Sequence, residues 1–88
     1  MPQFRKSTRK NKKYDVFYNN KWIPFGQNTM EQYFDSTPLK LYSHMNHGDP
    51  IRRANYLARA KGIKNKSGDL TWKDKNSPNY YAVHFLWN

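Results

Sequence analysis

Tyr14-Asp15-Val16-Phe17-Tyr18-Asn19-Asn20-Lys21-Trp22-Ile23-Pro24-Phe25-Gly26 is the stretch that decides the fold class. Two runs of aromatic and β-branched residues, which suit a pleated, half-buried surface, flank an Asn-Asn pair that tolerates the positive φ of a two-residue turn. The pattern predicts a β-hairpin. Pro24 cannot donate to a ladder, so the second strand must lie at a sheet edge or end near Ile23. Gly26 breaks the run. Downstream, Thr29-Met30-Glu31-Gln32 has capping-box spacing and predicts a short helical turn through Tyr33 and Phe34. Asp35 to Gly48 reads as ordered loop, with Leu39, Tyr42 and Met45 as inward anchors.

The next element announces both of its ends. Asp49 suits an N-cap, Pro50 the first helical position, and Gly62 the left-handed position after a helix running from Ile51 to Lys61. Ile51, Ala54, Leu57 and Ala58 share the spacing of an apolar face. Arg52, Tyr56 and Arg59 form an outer stripe, two guanidiniums flanking a phenol, and Arg53 adds charge beside it. After a basic connection, Leu70-Thr71-Trp72 is a brief apolar return. Ser77-Pro78 can cap and open a final helix, although Tyr80 to Trp87 is β-favouring enough that a strand is the alternative. In either form the apolar C-terminal segment docks into the core, with Trp87 as a core residue.

Composition bounds the rest. The chain has 88 residues with 16 Lys+Arg against 6 Asp+Glu, a formal net charge of +10. That length holds one domain, which buries only about 60–65% of the surface its unfolded chain exposes. A deep catalytic pocket is therefore disfavoured. Aromatic residues make up 17%, enough to build a core despite 36% hydrophobic residues overall. The absence of cysteine excludes disulfides, thiolate zinc and iron–sulfur sites. No apolar run approaches the ~20 residues of a membrane helix, and no signal-peptide core follows the basic start, so the chain reads as soluble and intracellular. Arg5, Lys6, Arg9, Lys10, Lys12 and Lys13 give the first 13 residues a charge of +6 with no acid among them. Such a run predicts a disordered basic arm over residues 1–13.

Chemistry beyond binding finds little support. His44-Met45-Asn46-His47-Gly48-Asp49 offers two imidazoles and a carboxylate, but a structural zinc site wants a fourth ligand and Asp49 already caps a helix. The same grouping invites comparison with metal-dependent nucleases, without their further metal ligand. The carboxylates form no close pair, no Ser sits in a nucleophile setting, and four glycines make no phosphate loop. The expectation is a binding protein with no cofactor, no metal and no catalytic residue.

The order Phe25-Gly26, Tyr33, His47-Gly48-Asp49 with Arg52-Arg53, Tyr56 and Arg59, then Lys73-Asp74-Lys75-Asn76-Ser77-Pro78 and Leu86-Trp87 resembles the small conserved basic proteins of nucleocytoplasmic large DNA viruses. The resemblance covers residues 14–88, leaves the arm outside, and departs where Ala60 stands for a His common in that family. It implies a giant-virus setting, marseillevirus-like members being the nearest comparison, and a place in the virion or in a viral factory of the host cytoplasm, or in the host nucleus. It implies no defined activity. By analogy with small basic chromosomal proteins, compaction or packaging of a viral genome follows.

The sequence thus predicts an α+β fold: an N-terminal β-hairpin packed on a central α-helix over residues 14–88, a short aromatic C-terminal helix closing the core, and the basic arm. The expected function is sequence-independent nucleic-acid binding, double-stranded DNA first, by Arg5, Lys6, Arg9, Lys10, Lys12, Lys13, Arg52, Arg53, Tyr56, Arg59, Lys61, Lys64, Lys66, Lys73 and Lys75. Composition does not separate DNA from RNA. The other expectation is a structural virion protein whose basic surface meets an acidic viral or host protein.

Overall fold

The computed structural model describes residues 2–88. Three strands, β1 (Gln3–Lys6), β2 (Lys12–Tyr18) and β3 (Lys21–Gln27), form an antiparallel sheet in the order β1-β2-β3. Two helices follow, α1 (Pro50–Ala60) and α2 (Pro78–Phe85). The fold class is α+β.

Asn19 and Asn20 turn β2 into β3 with φ of 54° and 62°, the left-handed values that Asn adopts at least cost. Pro24, opposite Asp15, lies on edge strand β3, where its missing N–H breaks no ladder bond to a further strand. Phe4, Tyr14, Val16, Ile23 and Phe25 share the inner face of the sheet, and Tyr81 and Leu86 complete the core against it.

The expected disordered arm is corrected by this arrangement. Gln3–Lys6 pairs with Tyr14–Phe17, and Lys12 and Lys13 open β2. Phe4 is the reason: it is buried opposite Val16 and meets Phe25 and Phe85 edge-on at 6.0 and 4.9 Å. Phe4 burial, the ladder to β2 and the Arg5–Asp15 bridge act together against the cost of ordering these residues, a benefit that local charge density hides. Met1 lies outside the described residues.

The hairpin does not pack on α1. It is α2 that lies against β3, while α1 packs on α2. Ser77 accepts from the Asn79 N–H, Pro78 opens α2, and Tyr81, Ala82 and Val83 are buried along it. Gly26, at φ 75°, sits so near Leu86 that a Cβ there would lie 2.8 Å from Leu86 Cδ1. Only glycine meets both constraints.

Other local expectations fail for traceable reasons. No helical turn follows Thr29, because the Gln32 side chain is drawn inward to the Lys13 ammonium, the Tyr42 carbonyl and the Asn46 amide. Leu39 is exposed, whereas Tyr42 packs on the core. Asp49 caps α1 through the N–H groups of Ile51 and Arg52, but Gly62 is absent from the positive-φ glycines, and the Lys61 N–H closes the helix on the Leu57 carbonyl.

Phe4→Ala should cost about 3 kcal/mol of unfolding free energy, as buried Phe truncations do. Urea unfolding measures it, and unchanged stability would return residues 3–6 to a loose arm.

Candidate nucleic-acid interface

The sequence places an apolar face of α1 on Ile51, Ala54, Leu57 and Ala58, and the structure rotates it. Ala60 is buried and Arg53, Tyr56 and Leu57 are half-buried, whereas Ile51 is 71% exposed and Ala54 and Ala58 face solvent. Aromatic stacking decides the rotation. The Tyr56 ring lies on the Trp87 indole at 4.1 Å and 8°, and Trp87 also meets His47 at 5.2 Å. A stacked pair of large rings outweighs the burial of one Ile and two Ala methyls.

This rotation turns the Arg52–Tyr56–Arg59 stripe toward a cleft of about 670 Å³ between α1, α2 and the β3 edge. Lys12 and Gln27 line the opposite side, and Trp87 and Leu86 line it from the C-terminal segment. The Arg59 guanidinium stands 5.6 Å from the Tyr56 ring centroid, and Arg52 Nη1 bonds Glu31 Oε1 at 3.0 Å. Burial pushes the Tyr56 hydroxyl pKa up, against the opposing pull of Arg59. The rim is cationic and the floor aromatic.

Other expected contact residues disperse. Arg53 leans on Tyr33 at 5.5 Å, on the other flank of α1. Lys61 and Lys73 both approach the Trp72 ring, at 4.8 and 5.3 Å. Lys64, Lys66 and Lys75 are exposed on loops, as are Arg9 and Lys10 between β1 and β2, and Lys6 is exposed at the end of β1. Arg5 bridges to Asp15 at 3.0 Å and covers Trp22 at 4.0 Å, on the sheet face opposite the core.

Lys13 is the expected contact that the structure buries, at the inner border of the cleft. It is 1% exposed, and its ammonium donates to the Met30 carbonyl and the Gln32 amide oxygen. Burial lowers its pKa to about 8, partly countered by the Asp35 carboxylate. Lys12 and Lys13 both border the cleft, but only Lys13 is fully buried; the unbroken burial of Lys13 to Val16 departs from simple strand alternation, so sequence could not separate the two lysines.

The histidine cluster is occupied with local structure. Asp49 accepts from the first turn of α1, and its own N–H donates to His47 Nδ1 at 2.9 Å. That bond leaves the His47 proton on Nε2, a buried atom with no partner. Burial, with Arg52 nearby, pulls the His47 pKa down.

The matched family region begins at Gln3, the first residue of β1, and ends at Ala60, the last of α1. The chain belongs to DUF5754, a family of unknown function. The DUF5754 match over residues 3–60 includes the segment that sequence reading set aside as an arm, and it contains the whole arginine stripe of α1. Trp87, on which Tyr56 stacks, lies beyond it. No curated protein matches the chain, and no solved structure does.

The folded Lys13 pKa lies below the ordinary 10.5, so between about pH 8 and 10 the unfolded chain binds more protons and stability rises with pH. Above pH 10 the trend reverses, because Tyr14 and Tyr81, pushed up to about 12, keep protons that the unfolded chain releases. Thermal midpoints across pH 7–11 should pass through a maximum near 10, and Lys13→Met should flatten the rising limb.

Proposed function

We propose that this protein binds nucleic acid without reading its sequence, through phosphate contacts centred on α1, with double-stranded DNA as the first ligand. The observation that carries this reading is the Arg52–Tyr56–Arg59 stripe turned to a cleft that Lys12 faces, in a chain of net charge +10. Lys61, Lys64 and Lys66, exposed after α1 and outside the cleft, support further phosphate contacts. Arg9 and Lys10, exposed in the β1–β2 loop, supply further cations from an ordered element. Nothing in the arrangement supplies a base code. The viral resemblance makes the ligand a viral genome in a virion or viral factory, and coating or compaction the outcome.

A second reading rests on a different observation. Ile51, Ala54 and Ala58 present small apolar side chains outward from a basic helix, the anatomy of a protein contact with an acidic partner. A complex of that kind survives nuclease digestion.

Anisotropy of a labelled random-sequence duplex separates the two. With about six phosphate contacts, log K should fall against log salt with a slope of roughly −5. Arg52→Gln with Arg59→Gln should make the slope shallower by about 2. A flat salt dependence of the intact chain contradicts the proposal.

A further inference from the structure

We infer that the cleft beneath α1 holds one unpaired nucleotide, its phosphate on Arg52, Arg59 and Lys12 and its base on the Tyr56–Trp87 stack. The inference rests on the nucleic-acid reading above and names the part of the ligand that enters the site. Three observations carry it.

The first is size and lining. A volume of about 670 Å³ lies within the range of small-ligand sites, roughly 300–1,000 Å³. A base inside a duplex has both faces covered by its neighbours and cannot reach an aromatic floor, whereas a displaced base can. A cationic rim above a ring stack complements a group that is anionic at one end and flat and apolar at the other.

The second is the state of Tyr56. One face of its ring is closed by Trp87 at 4.1 Å, and over the ring stands the Arg59 guanidinium at 5.6 Å. That is within the roughly 6 Å reach of a cation–π contact, which is weak at an exposed arginine such as Arg59. A base that takes its place on the ring releases Arg59 to the attached phosphate, and the charge moves from a weak partner to a strong one. The Gln27 and Asn55 side chains, also lining the cleft, offer donors and acceptors to a base edge without selecting one base.

The third is Glu31. Its carboxylate accepts from Arg52 at 3.0 Å, with both side chains about half exposed. Carboxylate and phosphate present similar oxygen pairs to a guanidinium, so Glu31 stands where a phosphate would bind and competes with it. An exposed pair of this kind is weak and yields readily to a backbone phosphate.

The test compares a blunt duplex with a shorter duplex bearing a single-stranded thymidine overhang, matched in phosphate number, by anisotropy at one salt concentration. Counterion release alone ranks the blunt duplex equal or tighter, since single strands give the shallower salt slope. The inference predicts about tenfold tighter binding of the overhang form. Adenosine monophosphate should displace that form at concentrations where inorganic phosphate does not. Glu31→Gln should tighten overhang binding several-fold. Tyr56→Ala should reduce the overhang-to-blunt ratio to about one, and Tyr56→Leu, which keeps apolar packing on Trp87, should do the same if the alanine variant fails to fold. Lys66→Gln, outside the cleft, should weaken both forms and keep the ratio. A wild-type ratio of one, or a ratio unchanged in both Tyr56 variants, overturns the inference and leaves duplex binding standing. No binding of either form at low salt overturns the parent reading as well.

Discussion

The Asp35 carboxylate, fully buried, accepts four hydrogen bonds, and the placement of everything after β3 depends on them. Tyr14 Oη donates to Oδ2 at 2.5 Å, the Tyr42 N–H to the same oxygen at 3.2 Å, and Thr37 gives both its N–H and its hydroxyl to Oδ1 at 3.0 and 2.6 Å. A buried carboxylate is tolerated only when donors replace its water, and here the nearby Lys13 ammonium adds compensating charge. Tyr14 works on two sides: its ring belongs to the core beneath Phe25 and Tyr42, and its oxygen accepts from the Leu41 N–H at 2.8 Å. Residues 28–48 contain only a three-residue 3₁₀ turn at Ser43–Met45 and a single bridge between Gln32 and Asn46, so this cluster supplies much of the order of the segment.

From that anchor the order passes outward to the cleft. Asn46 ties Gln32 to the Asp35 backbone, and the Phe34 and Ser36 N–H groups donate to the Leu86 and Phe85 carbonyls. The loop thereby fixes both the start of α1 and the C-terminal segment that carries Trp87. Asn79 closes the other end, donating to the Ala60 carbonyl and to Thr71 Oγ1. Held at both ends, α1 presents Tyr56 to Trp87, and the two arginines of its stripe follow because they lie one turn to either side.

Local signals carried the elements whose causes are local. Asp49-Pro50 and Ser77-Pro78 each placed a helix start correctly, because a cap and an N1 proline act within one turn. The Asn19-Asn20 turn and the edge position of Pro24 were legible for the same reason. What escaped was nonlocal. The burial of Phe4 depends on strands that follow it, the Gln32 side chain chose partners 10, 14 and 19 residues away over its own backbone, and the facing of α1 was set by a Trp 31 positions downstream. At the site, the arginine stripe was readable from helical spacing, but nothing in the sequence indicated that it borders a cleft, that Lys13 is spent inside the molecule, or that Glu31 engages Arg52.

The central claim is that the face built by α1, Lys12 and Trp87 is where nucleic acid binds. Amide chemical-shift mapping of the ¹⁵N-labelled chain during titration with a short duplex bearing an overhang tests it most directly. The account predicts perturbations concentrated on Lys12, Gln27, Arg52, Asn55, Tyr56 and Arg59, with the Trp87 indole N–H moving as well. Shifts confined to the outer sheet face around Arg5 and Trp22, or to the Ile51–Ala54–Ala58 surface, would contradict it.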